Sequence, residues 1–234
     1  MESRPDGMIG VYIGITRSGK STPVKEIAKQ RDRVLAYDPK GEYVQMGFKA
    51  CESRAELFKA LKESTGAEKI SFVANSRKDF QFWCDCAYNW NRQKPAVLIA
   101  EELANVTNAG KAEDNWGRLI NQSLAFNPLI LATVQRGQEV DKGLMNNASY
   151  LHIAQHQTND DANYIASKID VPLEMIPRDP LKFIVWRGGK GTLIRNGQIE
   201  WRGNKPYFRG IKNGSNRVVP LSIEANGKFK GVEY

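Results

Sequence analysis

Histidine and cysteine are scarce in this chain, with two of the first and three of the second among 234 residues. A zinc site needs paired cysteines or a cysteine–histidine cluster at ligand spacing. Cys51, Cys84, Cys86, His152 and His156 form no such pattern. Cys84 and Cys86 lie two apart in a helical stretch, so their side chains diverge by roughly 200°. Free thiols are expected, with no disulfide and no zinc. Also missing is any apolar run near the roughly 20 residues that span a bilayer, so no transmembrane segment is expected. The opening MESRPDG has no charged-then-apolar secretory plan, which points to the cytoplasm. No N-K-x-D element is present, which argues against a guanine-specific switch.

Acidic charge is short in one region only. The net charge is +8, yet residues 1–175 hold 22 Lys+Arg against 22 Asp+Glu. Residues 176–234 hold 12 against 4, so the whole excess sits there. Such asymmetry suggests an anionic partner or an interaction segment.

The first 170 residues alternate apolar runs with helical patterns. Strands are expected at 8–14, 33–37, 70–75, 96–100, 128–134 and 150–154, and helices at 20–31, 53–64, 77–93, 113–126, 138–147 and 160–169. The runs are apolar throughout rather than alternating, as strands covered on both faces should be. The fold class is therefore α/β with a mainly parallel sheet. After about Asp170 the pattern changes. VPLEMIPRDP has three prolines, and FIVWRGGKGTLIRNGQIEWRG reads as strands with a hairpin turn at Asn196-Gly197. Two domains are expected, 1–175 and a basic β-rich extension, 176–234.

The stretch GITRSGKST carries the chemistry. Gly14, Gly19, Lys20 and Ser21 fit G-x-x-x-x-G-K-[ST] between an apolar strand and a helical pattern. Glycines let backbone N–H groups converge on phosphate oxygens at a helix N-terminus. Gly14, Ile15, Thr16, Arg17, Ser18, Gly19, Lys20, Ser21 and Thr22 are thus the candidate cradle. In it Lys20 reaches the β- and γ-phosphates and Ser21 ligates Mg²⁺. Pro23 biases Thr22 away from helical angles, which works mildly against the motif.

Hydrolysis needs carboxylates too. AVLIA runs into Glu101-Glu102 at a strand's C-terminal end, the edge where open α/β sheets bind ligands. Neighbouring residues there face opposite ways, so Glu101 is assigned to the Mg²⁺ shell and Glu102 to polarising water. PLILATV ends in Gln135-Arg136, and the Gln135 amide suits a γ-phosphate sensor.

Taken together, GITRSGKST, AYDPKGEY (36–43), AVLIAEEL (96–103) and LILATVQRGQEVDK (129–142) resemble the HerA–FtsK superfamily of ring-forming DNA-pumping ATPases. HQTNDDANYIASKI also looks like that family's acidic helix start. The resemblance covers roughly residues 8–170 and is nearest the compact viral branch, the packaging ATPases of tailless, membrane-containing phages. It implies a three-layer P-loop NTPase (RecA/ASCE-like) fold, ATP as nucleotide, and packaging of double-stranded DNA into a preformed capsid. It further implies a homo-oligomeric ring, taken as a hexamer, capsid or membrane-associated vertex partners, and a place in host cytoplasm and at the virion vertex. An arginine supplied in trans belongs to the same expectation, with Arg136 first and Arg118 next. One departure is Glu101, where the family commonly has Asp.

Two other functions stay open. A P-loop kinase would need a lid and an acceptor pocket, and a non-hydrolysing virion assembly factor would not need Glu102. The basic segment, with Phe183, Trp186, Trp201, Tyr207 and Phe208 among its cations, also has three readings. It contacts DNA, or it is a self-contained β-appendage, or it docks on vertex proteins.

Overall fold

The computed structural model describes residues 7–187, 193–212 and 215–230. The strand reading of 183–203 therefore lies outside the described residues at 188–192, and the leader reading does so at 1–6. Two compact units divide the chain. One gathers the start to Ile9, Arg31–Ala132 and Val140–Asn147, and the other Gly10–Gln30, Thr133–Glu139 and the chain from Ala148 onward. The described residues after 175 fall in the same unit as GITRSGKST.

The first unit is built on parallel strands. These are β2 (Val34–Tyr37), β3 (Lys49–Cys51), β4 (Lys69–Phe72), β5 (Val97–Ala100) and β6 (Leu129–Val134), ordered β6-β5-β2-β4-β3. β2, β5 and β6 are buried at every residue, which explains their unbroken apolar runs. α2 (Arg54–Lys62) and α3 (Arg77–Gln93) start at Ser53 and Ser76, whose side chains accept from the N–H groups of Glu56 and Asp79. α3 turns Phe80, Trp83, Cys84, Ala87 and Tyr88 inward at helical spacing. Phe80 meets Tyr37 at 5.0 Å, stacks on Trp83 at 5.8 Å and tilts onto Trp116 at 5.4 Å. Trp116 belongs to α4 (Asp114–Gln122) and donates its indole N–H to buried Asp141 at 2.7 Å. Asp141 also accepts from the Leu144 N–H and so anchors α5 (Lys142–Asn147). The helix expected over 138–147 is split, with a 3-10 turn at Gly137–Glu139 before α5.

The second unit holds β1 (Met8–Ile13) from Gly10 on, then α1 (Ser21–Lys29), β7 (Tyr150–Ile153) and α6 (Asn159–Ile169). Strands β8 (Lys182–Arg187), β9 (Ile194–Arg202), β10 (Lys205–Lys212), β11 (Val218–Ile223) and β12 (Phe229–Lys230) complete it. β1 and β7 are parallel, and every pairing from β7 through β12 is antiparallel. The α/β class with a C-terminal β-rich part is as expected. Asn196-Gly197 corrects the hairpin expectation. It lies inside β9, with Asn196 at φ 48°, and the register against β10 shifts there. This is a bulge. A Cβ at Gly197 would sit 2.5 Å from the Phe183 ring, so a side chain has no room. The turn itself is Gly203-Asn204, with Gly203 at φ 58°.

The aromatics of this unit make a core. His152 stacks on Phe183 at 4.6 Å and lies 5.3 Å from Tyr12, while Phe183 stacks on Phe229 at 5.4 Å. Neither His152 ring nitrogen has a partner among the described residues. Burial pushes its pKa down to about 3. The unfolded chain takes up a proton below the ordinary value near 6.5 and the folded chain does not. Stability is therefore full above that pH and falls as pH drops toward 3, by about 1.4 kcal/mol per pH unit. Between pH 7 and 5, His152→Phe should reduce the loss by about 2 kcal/mol in urea unfolding. Equal losses in both proteins would contradict the assignment.

Candidate nucleotide site

In the second unit, β1 ends at Ile13 and the chain turns through Gly14 (φ 153°), Arg17 (φ 65°) and Gly19 (φ 88°) into α1. The Gly14 N–H donates to Val134 O at 3.2 Å and the Ile15 N–H to Gln155 O at 3.0 Å, tying the loop to the ends of β6 and β7. The N–H groups of Thr16, Arg17 and Gly19 make no backbone hydrogen bond among the described residues. Ser18 is 1% exposed, and its hydroxyl has no partner among the described residues. Lys20 is 8% exposed and its ammonium folds back toward Ile15 O at 3.4 Å. Unsatisfied donors around a left-handed turn, beside a buried cation, form a concave anion nest. These residues fit a phosphate group. Thr22 departs from expectation. It lies within α1, its N–H bonded to Gly19 O at 3.0 Å, because proline at the third helical position forfeits no intrahelical bond.

The strand-end glutamine lies beside this loop. Val134, whose carbonyl holds Gly14, immediately precedes Gln135, which has no side-chain hydrogen bond among the described residues. Arg136 is engaged within its own chain. Its guanidinium donates to Asp161 and to Glu139, each at 2.8 Å, and the Asp161 hydrogen bond is the main reason its pKa rises. Asp161, 5% exposed, also accepts from Gln138 at 3.0 Å and Thr158 at 2.6 Å. Burial raises its pKa, but the Thr158 and Arg136 hydrogen bonds outweigh that and hold the carboxyl below the usual range. Thr158 caps α6, its side chain accepting from the Asp161 N–H. Arg118, the second arginine singled out, pairs with Asp85 at 3.1 Å and lies 3.9 Å over the Tyr88 ring.

The acids belong to the first unit. β5 ends at Ala100, and Glu101 continues the ladder by donating its N–H to Tyr37 O at 3.2 Å. Its side chain is 8% exposed and accepts from the Tyr43 hydroxyl at 2.7 Å. Burial, then the Glu101 charge, pushes the Tyr43 phenol well above its ordinary pKa, so it stays a donor. Glu102 turns left-handed at φ 54°, and its carboxylate pairs with Lys40. The hydrogen bond to Glu102 raises the Lys40 pKa. The two glutamates therefore face different partners, as separate roles require. Within DPKGEY, which no motif spacing assigns a role, Lys40 and Tyr43 are the acids' partners. Asp38 accepts from the N–H groups of Glu42 at 3.0 Å and Tyr43 at 2.9 Å, and from Ser71 Oγ at 2.8 Å. Asp-Pro-Lys-Gly is itself a turn signal, which could have identified this brace.

All three cysteines are free, and no group of three or more metal-ligating side chains occurs among the described residues. No helix among them is long and apolar enough to cross a membrane.

No protein-family model matches the chain. In sequence it is 25% identical over 191 residues to Protein P9 of Pseudoalteromonas phage PM2, covering 78% of this chain and 87% of that protein. In structure it is similar to the genome packaging NTPase B204 from Sulfolobus turreted icosahedral virus 2, solved in complex with AMPPCP. The TM-score is 0.68 at 13% identity, over 85% of this chain and all of that one. This chain has the B204 fold. VirB4 of Thermoanaerobacter pseudethanolicus is a more distant likeness, with a TM-score of 0.57 at 10% identity over 84% of this chain and 90% of that one. B204 has also been solved with AMP and with ATP-gammaS. The fold likeness agrees with the resemblance drawn from the motifs.

The Asp38 brace gives a test of local architecture. Asp38→Ala strips three donors of their acceptor and should cost about 1–3 kcal/mol in urea unfolding. An unchanged midpoint and slope would show the brace to be dispensable.

Proposed function

We propose that this protein is an ATP-hydrolysing motor that drives double-stranded DNA into a viral capsid. The observation that carries the reading is the nest around Gly14–Gly19, with its unpaired N–H groups, the lone Ser18 hydroxyl and the buried Lys20. Likeness in fold to B204, a genome packaging NTPase crystallised with AMPPCP, supports the same reading.

In this mechanism the cradle of residues 14–22 holds the triphosphate, chiefly through the N–H groups of Thr16, Arg17 and Gly19, and Lys20 neutralises charge on its β- and γ-oxygens. Ser21 and Glu101 are the residues that would hold Mg²⁺, which supplies further positive charge to the phosphates when bound. Glu102 orients the attacking water, for which it must exchange Lys40 for that water. Gln135, one residue beyond the carbonyl that fixes Gly14, senses the γ-phosphate. Arg136 can serve a neighbouring subunit's site only by leaving Asp161 and Glu139. An arginine arriving in trans is worth roughly 10³–10⁵ in rate. Hydrolysis completed in this way would couple turnover to assembly of a homo-oligomeric ring at the capsid vertex.

A double-stranded DNA partner is supported by the outward side of β9, β10 and β11. Arg195, Arg202, Lys205 and Arg209 are exposed there, with Tyr207 at 41%. Glu200 is the only carboxylate on these three strands, and Arg209 pairs with it at 3.3 Å. Arg202 lies 4.5 Å over the Tyr207 ring. Cations on a rigid ribbon neutralise phosphates and displace counterions.

Lys20→Ala should abolish ATP turnover, and Glu102→Gln should bind ATP while losing at least about 100-fold in turnover. Normal turnover by Glu102→Gln removes it as the water-orienting residue. No phosphate release by the wild type with DNA present favours the assembly-factor reading instead. For DNA, the triple variant Arg195→Gln, Arg202→Gln, Lys205→Gln should flatten the log–log salt dependence of binding by about 2–3. An unchanged slope places the contact elsewhere.

A further inference from the structure

The C-terminal strands reach the phosphate loop itself, and within the second unit the contact falls on the glycine that shapes it. A Cβ built on Gly19 would lie 2.9 Å from Ile199 Cδ1 and 3.1 Å from Leu181 Cδ2. Gly19 is at φ 88°, so both its backbone angle and the space around it exclude a side chain. Ile199 is 2% exposed in mid β9, and its N–H donates to the carbonyl of Leu181 at 2.9 Å. Leu181 sits at φ 60°, a left-handed conformation rare for a bulky residue, which persists only where surrounding structure enforces it.

The same strands also grip the far end of α1. Gln30 Nε2 donates to Ile223 O at 2.9 Å, and a Cβ on Gly227 would lie 3.5 Å from Ile27 Cδ1. A helix whose first turn serves as an anion site is thus held at both ends by residues 181–227. No nucleotide motif contains these residues, and nothing in GITRSGKST announces them.

Resting on the nucleotide reading above, we infer that Ile199 and Leu181 are positioning residues for the phosphate loop. Their side chains press on Gly19 and keep the nest in its binding shape. Ile199 is followed two residues later by Trp201 and then Arg202 at the exposed hairpin end, roughly 7–10 Å along the strand. Whatever the hairpin engages is then linked to nucleotide affinity through one rigid strand. By thermodynamic reciprocity, nucleotide alters hairpin engagement by the same factor.

The test is binding of a fluorescent nonhydrolysable ATP analogue to full-length protein, with thermal unfolding measured in parallel without nucleotide. Ile199→Ala should weaken binding by about tenfold through loop displacement, and Ile199→Val should recover most of it. Ile194→Val trims a buried residue of β9 five positions before Ile199 and should stay within about twofold of wild type. Leu181→Gly removes the contact while relieving the strained angle, so it should weaken binding without lowering the unfolding temperature. That variant keeps the test decisive if Ile199→Ala folds poorly. Wild-type affinity in both Ile199→Ala and Leu181→Gly overturns the inference alone. Equal weakening in Ile194→Val also overturns it, because the effect would then be one of general stability. A wild-type chain that binds no nucleotide overturns the nucleotide reading and this inference with it.

Discussion

The left-handed backbone at Gly14, Arg17 and Gly19 is the constraint on which the site depends. It reverses the chain between β1 and α1 within a few residues and leaves the N–H groups of Thr16, Arg17 and Gly19 pointing away from any backbone acceptor. An ordinary turn would satisfy them internally and leave nothing for an anion. Only glycine meets both demands at residue 19, since the angle is positive and Ile199 and Leu181 occupy the space of a side chain. The surroundings are arranged to keep that reversal in place, through Val134 and Gln155 on one side and the C-terminal strands on the other.

Buried carboxylates do comparable work elsewhere, each fully used. Asp38 braces the turn that carries Lys40 and Tyr43, Asp141 joins Trp116 to the start of α5, and Asp161 gathers Arg136, Gln138 and Thr158. A buried carboxylate without such donors would be costly, so each cluster specifies one arrangement of the loops it touches. Two of the three clusters hold residues next to the proposed chemistry. Asp38 supports the partners of both glutamates, and Asp161 secures the segment after Gln135. The turn that carries Lys40 and Tyr43 and the segment after Gln135 are therefore organised by buried, hydrogen-bonded carboxylates.

Much of the α/β core was legible because its signals are local. β2, β5 and β6 are apolar at every position, Ser53, Ser76 and Thr158 cap their helices, and the phosphate-loop spacing lies between strand and helix. What escaped notice depends on partners distant in the chain. β3 is three residues long, with two exposed, and forms only because β4 offers an edge. Asn196-Gly197 has the composition of a turn, yet Phe183 packs where a Gly197 side chain would be and the strand continues through a bulge. Lys40 and Tyr43 became site residues only when folding brought them to Glu101 and Glu102, about sixty positions away.

The sequence by itself determined the glycine-rich spacing between β1 and α1, which acids close β5, and that positive charge collects after residue 175. Each is a matter of residue type at short spacing, where backbone sterics and strand or helix periodicity decide the outcome. Only the tertiary structure decided that Arg136 and Arg118 are tied to acids of their own chain, and that the C-terminal strands share a unit with the phosphate loop. These facts rest on contacts across tens to well over a hundred positions. Packing and charge pairing select such contacts from many that the same residues permit, so no local pattern records them.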